Sequence, residues 1–323
     1  MSVSVLGAGA WGTALASMLA HGNTRVVLWG RDQHVVDEIN QSQRNSAYLG
    51  DIPLPNNVQA TTDIKAACSA NTVLYVLPAQ SFRSVAPIIK SRLNPNTQLV
   101  LCAKGIDQES GKLLHEMAAE SFGSNPIFAL SGPSFASDVA RGLPTAVSLA
   151  ADSLDDAKIL AEELSRPRFR IYASDDLTGV EAGGALKNVL ALAVGITRGL
   201  ELGASAEAAL IARGFAELQR LALALGGRSE TLSGLSGLGD LVLTCSSPQS
   251  RNFSFGEALA RGEDLLDRPL AEGVHSAAMA VKLATYHSID VPLMGMVQRV
   301  LNGEVQPKEA VSLLLARPLK GEA

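Results

Sequence analysis

Two lysines stand where an amine could do chemistry. Lys104 comes directly after the apolar run "QLVLCA" at 98–103, so its stem would be partly buried at a strand end with its amine facing a cleft. Lys187 sits in "GGALKN" at 183–188, on a helical pattern otherwise built of small and apolar residues. A lysine there either snorkels to the surface or is placed for function. Desolvation would lower its pKa toward a value usable in proton transfer. Metal chemistry has no comparable signature. The five histidines show no H-E-x-x-H spacing, and Cys68, Cys102 and Cys245 form no C-x-x-C, so no metal is expected.

A second constellation opens the chain. Gly7-Ala8-Gly9-Ala10-Trp11-Gly12 fits G-x-G-x-x-G, after an apolar run at Val3–Leu6 that reads as a strand and before a helical pattern at Ala10–His21. That context is the one the motif requires to bind a dinucleotide. Gly7 allows the tight turn, Gly9 leaves room for a pyrophosphate, and Gly12 permits close helix packing. The helix then offers unpaired N–H groups and a positive dipole end to phosphates. The second strand, Arg25–Trp29, ends without an acid at its tip, and Arg31 is the first charge beyond it. An acid there would meet the ribose 2′-hydroxyl of NAD, an arginine the 2′-phosphate of NADP. The pattern favours NADPH held by Arg31, with NADH also usable. The other reading leaves Arg31 solvated and Asp32 capping the next helix.

These residues must be positioned by a larger frame. Strand-like runs at 72–78, 98–105, 126–136, 145–150 and 169–173 alternate with helical patterns at 32–41, 63–68, 81–90, 111–122 and 155–164. The stretch 49–57, with Gly50, Pro53 and Pro55, reads as a loop. Such alternation predicts an α/β, Rossmann-type, doubly wound and mostly parallel sheet. Beyond Asp176 only helical patterns follow, at 179–200, 205–225, 251–260, 277–286, 292–302 and 308–315. The expected domains are therefore a dinucleotide-binding unit at 1–175 and an all-α unit at 176–323. A substrate would sit in the cleft beyond the carboxyl ends of the strands.

Totals narrow the function. The chain has 323 residues, enough for two domains, and 47% of them are apolar. A net charge of -5 speaks against a nucleic-acid surface. No signal peptide is expected at the start, and the apolar stretch within 182–196 is interrupted by Lys187, so no membrane span is expected. Few, scattered cysteines suit a reduced, cytoplasmic protein.

The stretches "GAGAWGTALA", "CAKGID", "SGPSFA", "GGALKN", "LSGLGDLVLTC", "SSPQSRNFSFG" and "AEGVHSA" occur in this order along essentially the whole chain. Together they closely resemble the bacterial NAD(P)-dependent sn-glycerol-3-phosphate dehydrogenases. The resemblance implies reduction of dihydroxyacetone phosphate to sn-glycerol 3-phosphate, the precursor of membrane phospholipids. It also implies a helical second domain like that of 6-phosphogluconate dehydrogenase, and commonly a homodimer. Hydride would pass to the substrate C2, and the carbonyl oxygen would then need a proton or cation nearby.

By the same resemblance Lys187 is the catalytic acid for reduction and base for oxidation. Lys104 lies where cofactor and substrate meet. Gly132, Ser134 and Asp240 contact substrate, as do Ser250, Arg251 and Asn252, which carry its phosphate. Ala10, Trp11, Ala136, Arg251, Leu270 and Glu272 contact the cofactor. The family often carries serine at position 10 and threonine at 134; Ala10 here removes a hydroxyl and Ser134 keeps one. The residues alone leave plainer readings open: Ser250 or Asn252 as a helix N-cap, Asp240 as a turn aspartate after Gly239, and residues 132–136 as a Gly-Pro turn. Two rivals remain beside the resemblance, a dehydrogenase of another small acid or phosphate and a non-catalytic NADPH sensor.

Overall fold

The computed structural model describes residues 2–317 apart from Asn23, Asp267 and Leu270. Eight strands form one sheet: β1 Val3–Leu6, β2 Val26–Trp29, β3 Val58–Thr61, β4 Thr72–Tyr75, β5 Gln98–Leu101, β6 Ile127–Ser131, β7 Thr145–Ala151 and β8 Phe169–Ser174. Their spatial order is β3-β2-β1-β4-β5-β6-β7-β8. Only the β6–β7 pairing is antiparallel. The first six strands follow the order 3-2-1-4-5-6 that places a dinucleotide across the switch between β1 and β4. In β1 and β4 every residue is buried, as expected of parallel strands covered on both faces.

Strand β3 departs from expectation. Its four residues, Val-Gln-Ala-Thr, follow directly on the proline-containing loop and carry too short an alternation to register. It forms because β2 offers an edge, pairing Val26 with Val58 and Trp29 with Thr61. The strand expected over 72–78 ends at Tyr75, and that over 98–105 ends at Leu101. The freed residues become the loops that line the cleft.

Two apolar layers hold the sheet. On one face the helix Ala10–Ala20 packs through Leu15, Met18 and Leu19 against Val5, Leu28 and Phe128. On the other face Tyr75, Phe82 and Phe122 meet edge to face, with ring centroids 5.3 and 5.9 Å apart. The helical half is built around Leu177–Gly199, a helix of 23 residues buried along nearly its whole length. It is long and apolar enough to cross a membrane, but its apolar surface is covered by the protein's other helices. Helix Arg251–Arg261 crosses it closely: a Cβ on Gly195 would fall 2.1 Å from the Phe253 carbonyl oxygen.

One loop ties the two halves together. Ile106 and Leu113, following β5, belong to the apolar core of the helical half. Arg83 pins that loop through Asp107, with Nη2 donating to Oδ2 at 2.5 Å. The guanidinium holds the Asp107 carboxyl well below the usual carboxylate range. Lys104 stands at the root of this pinned loop.

Candidate active site

Three segments converge on one carboxylate. Asp240 is 1% exposed and opens the helix Asp240–Ser246, which follows a π-helical turn at Leu235–Gly239. It is thus a buried helix residue, not a turn aspartate. Lys187, from the middle of the central helix, donates to its Oδ1 at 2.7 Å. Lys104, from the loop after β5, donates to its Oδ2 at 2.6 Å and to the Gly132 carbonyl oxygen at 3.2 Å. Thr244, one turn beyond Asp240, accepts from Lys187 at 2.5 Å and donates to the Asp240 carbonyl oxygen at 2.6 Å.

Lys187 does not snorkel; it is 6% exposed. Burial pulls its ammonium down from 10.5 to about 8. The Asp240 carboxylate opposes that fall, and the Lys104 charge adds to it. Two of its three N–H donors are engaged, which leaves one for an oxygen brought beside it. An amine poised near neutrality, oriented by two acceptors, is suited to give and take a proton.

The opening loop has the shape a pyrophosphate needs. Gly7 adopts φ +124°, and a Cβ there would meet the Val76 carbonyl oxygen at 3.1 Å. A Cβ on Gly12 would fall 1.8 Å from the Gly7 carbonyl oxygen, so the helix starts hard against the turn. Gly9 is the N-cap, and no side chain caps the helix. Nothing lies within 4 Å of where its Cβ would point, so the chain leaves open space beside Gly9. The Trp11 indole is partly buried, and its Nε1 has no protein partner among the described residues. These features fit a dinucleotide phosphate over the loop.

Arg31 is exposed just beyond Gly30, whose absent Cβ would touch that of Ala8 in the loop. Asp32 caps the helix Gln33–Ser42, accepting from the His34 amide at 2.9 Å. Its carboxylate is therefore turned toward its own helix, while Arg31 makes no side-chain hydrogen bond or ion pair among the described residues.

Of the remaining expected residues, Gly132 meets a lysine directly, its carbonyl oxygen accepting from Lys104. Gly132, after β6, packs so that a Cβ would meet Val147 Cα at 2.8 Å. Ser134 donates to the same Gly132 carbonyl oxygen that Lys104 reaches, at 3.0 Å, and Ala136 begins the helix Ala136–Ala140. Ser250 does cap the helix Arg251–Arg261, accepting from the Phe253 amide at 3.2 Å. Arg251 is exposed beside it. Asn252 is a brace: it donates to Asn188 Oδ1 at 2.9 Å and accepts from the Gly273 amide at 2.8 Å. Glu272 begins the next helix, Glu272–Tyr286. Burial raises its carboxyl pKa against the pull of the Arg251, Lys104 and Lys187 charges. Leu270 lies outside the described residues.

Two members of the cluster carry no expectation from sequence. Thr244 lies four residues after Asp240, on the same face of one helix, a spacing that could have singled it out. Asn188 follows Lys187 directly and links it to Asn252, a contact across 64 residues that no local pattern announces.

Comparison with known proteins decides among the readings of this site. The family described as NAD-dependent glycerol-3-phosphate dehydrogenase matches with its N-terminus over residues 2–157 and its C-terminus over residues 176–312. The chain belongs to this family. A relative named glycerol-3-phosphate dehydrogenase [NAD(P)+] from Chelativorans sp. (strain BNC1) is 52% identical over 322 residues, 99% of this chain and 98% of its own. One of the same name from Brucella ovis is 53% identical over 321 residues, 99% of this chain and 98% of its own. The crystal structure of the glycerol-3-phosphate dehydrogenase of Coxiella burnetii superposes with a TM-score of 0.93 at 42% identity, covering 98% of this chain and 99% of that one. Membership in this family supports the glycerol-3-phosphate dehydrogenase reading over the sensor and over a dehydrogenase of another small acid.

Proposed function

We propose that this protein reversibly reduces dihydroxyacetone phosphate to sn-glycerol 3-phosphate with a nicotinamide dinucleotide, mainly in the direction that supplies glycerophospholipid synthesis. The observation that carries the reading is the cluster of Lys187, Lys104 and Asp240, in a chain whose glycine loop has the tight turn and open N-cap that suit a pyrophosphate. The bound nicotinamide supplies or accepts the hydride. Gly7, Gly9, Ala10, Trp11 and Gly12 would hold its pyrophosphate, with Arg31 on the 2′-phosphate, Ala136, Arg251 and Glu272 along the cleft, and NADPH preferred over NADH.

Lys187 uses its remaining N–H to give the proton that the substrate oxygen needs as it becomes an alkoxide. Asp240 and Thr244 fix the direction of that amine. Lys104 adds a second positive charge near the same oxygen, where low dielectric strengthens it. Gly132 and Ser134 border the substrate. Ser250, through its hydroxyl hydrogen, and Arg251 bind its phosphate at the start of a helix. Asn252 holds that helix start to the central helix and has one amide hydrogen left for the ligand.

A division at residue 175 is supported by the end of β8 at Ser174 and the start of the central helix at Leu177. Three buried free cysteines support a reducing, cytoplasmic setting. A homodimer is the assembly the family resemblance suggests.

The test is an assay of NADPH and NADH oxidation with dihydroxyacetone phosphate and the purified protein. Turnover with formation of sn-glycerol 3-phosphate is expected. No turnover with either nucleotide would overturn the proposal.

A further inference from the structure

A second cleft lies at the opposite end of the first helix from the glycine loop. It offers about 1240 Å³, open to solvent on one side, between Ser17–His21, the loop Leu49–Pro55, the segment Val139–Leu143 and the turn before β8. Its floor is apolar, formed by Met18, Leu54, Val139 and Phe169, with the half-exposed Leu143 on one wall. It is somewhat larger than the roughly 300–1,000 Å³ of a usual small-molecule site, room enough for an extended chain.

The rim is cationic on a chain whose net charge is -5. Arg141 is exposed and makes no side-chain hydrogen bond or ion pair among the described residues. Arg168 reaches only the Gly142 carbonyl oxygen, at 3.3 Å, and no carboxylate. Arg166 is differently employed: it donates to the His21 and Leu19 carbonyl oxygens at 2.9 and 3.0 Å, closing the end of the first helix. The acid of the cleft, Asp51, is 99% exposed and faces Arg44 at 3.6 Å. Two guanidinium groups with no carboxylate partner among the described residues, over an apolar trough, match one kind of molecule. It has an apolar tail to cover the trough and an anionic head to take the planar fork.

We propose that this cleft binds an amphipathic anion, a single apolar chain ending in a phosphate or carboxylate, with Arg141 and Arg168 on the head and Leu143, Met18 and Phe169 on the tail. The site is separate from the dinucleotide loop and independent of the proposed reaction.

Isothermal titration calorimetry of the full chain with NADP+ saturating tests it. The probes are decyl phosphate and decanoate, with inorganic phosphate as head alone and decanol as tail alone. Saturable one-to-one binding of either amphiphile, with both fragments at least about tenfold weaker, is expected; whichever amphiphile binds tighter identifies the head. The double variant Arg141→Ala/Arg168→Ala should lose about tenfold or more in affinity while keeping wild-type Tm and turnover. Should that variant fail to fold, Leu143→Asp on the exposed wall serves instead, with the same loss expected. Equal binding of either fragment, unchanged affinity in a folded variant, or no binding at all would each overturn the proposal.

Discussion

Lys187 Nζ stands 2.7 Å from Asp240 Oδ1, across 53 residues of chain, and the two are among the most deeply buried charged groups of the protein. The pairing is two-sided, because the other carboxylate oxygen holds Lys104 at 2.6 Å. Two ammonium groups thus share one carboxylate in a site of low dielectric. The arrangement keeps Lys187 oriented while leaving its proton loosely held.

Replacing Lys187 with alanine is expected to lower kcat by about 10²–10⁴, the range of a lost general acid. Nucleotide binding, followed by fluorescence titration, should be retained, since the loop at Gly7–Gly12 does not touch the lysine. Equal losses in turnover and in nucleotide affinity would remove Lys187 from the chemistry and make it a structural residue.

The lowered pKa of Lys187 gives the two directions opposite pH dependence. Reduction needs the ammonium, so its kcat/KM should fall as pH rises through about 8. Oxidation of sn-glycerol 3-phosphate needs the free amine and should rise through the same midpoint. Asp240 supports the ammonium, so Asp240→Asn should move the midpoint to lower pH. An unmoved midpoint in that variant would assign the titration to another group.

Arg31→Ala should raise KM for NADPH by about tenfold and leave KM for NADH nearly unchanged, since only the former carries a 2′-phosphate. Steady-state kinetics with both nucleotides measures the ratio. A parallel rise in both would mean that Arg31 does not reach that group.

Glu217 gives the fold its own pH dependence. It is 2% exposed and accepts from the Leu293 and Met294 amides at 2.7 and 3.1 Å, capping the helix Pro292–Leu301. Burial pushes its carboxyl up from 4.5 to about 7. Between these values the folded chain binds the proton and the unfolded chain does not, so this group's contribution to stability falls as pH rises across that window. The Glu217→Gln variant should lose that share, roughly 3 kcal/mol between pH about 4.5 and 7. Urea unfolding of both proteins at the two ends of the window measures it; identical pH slopes would show that Glu217 titrates normally.

Local pattern carried much of this molecule. Seven of the eight strands, the glycine loop and both lysines are legible because each depends on near neighbours: apolar runs, helical spacing, and glycines between a strand and a helix. Strand β3 is not, since four residues acquire strand character only from the edge of β2. The helix carrying Asp240 and Thr244 escapes for a similar reason, following two glycines and a π-helical turn held by packing on the central helix.

The sequence by itself determined which chemistry was available: an amine in an apolar helix, a second amine at a strand end, and a loop able to take a pyrophosphate. Only the tertiary structure decided what those amines do to each other. Lys104 and Asp240 are 136 residues apart, and nothing local encodes their 2.6 Å contact. The pKa of Lys187 follows from burial and from the charges of Asp240 and Lys104, and those are set by packing across the two halves of the chain. Electrostatics in a protein interior depends on distance and exclusion of water, which a sequence specifies only once it has folded.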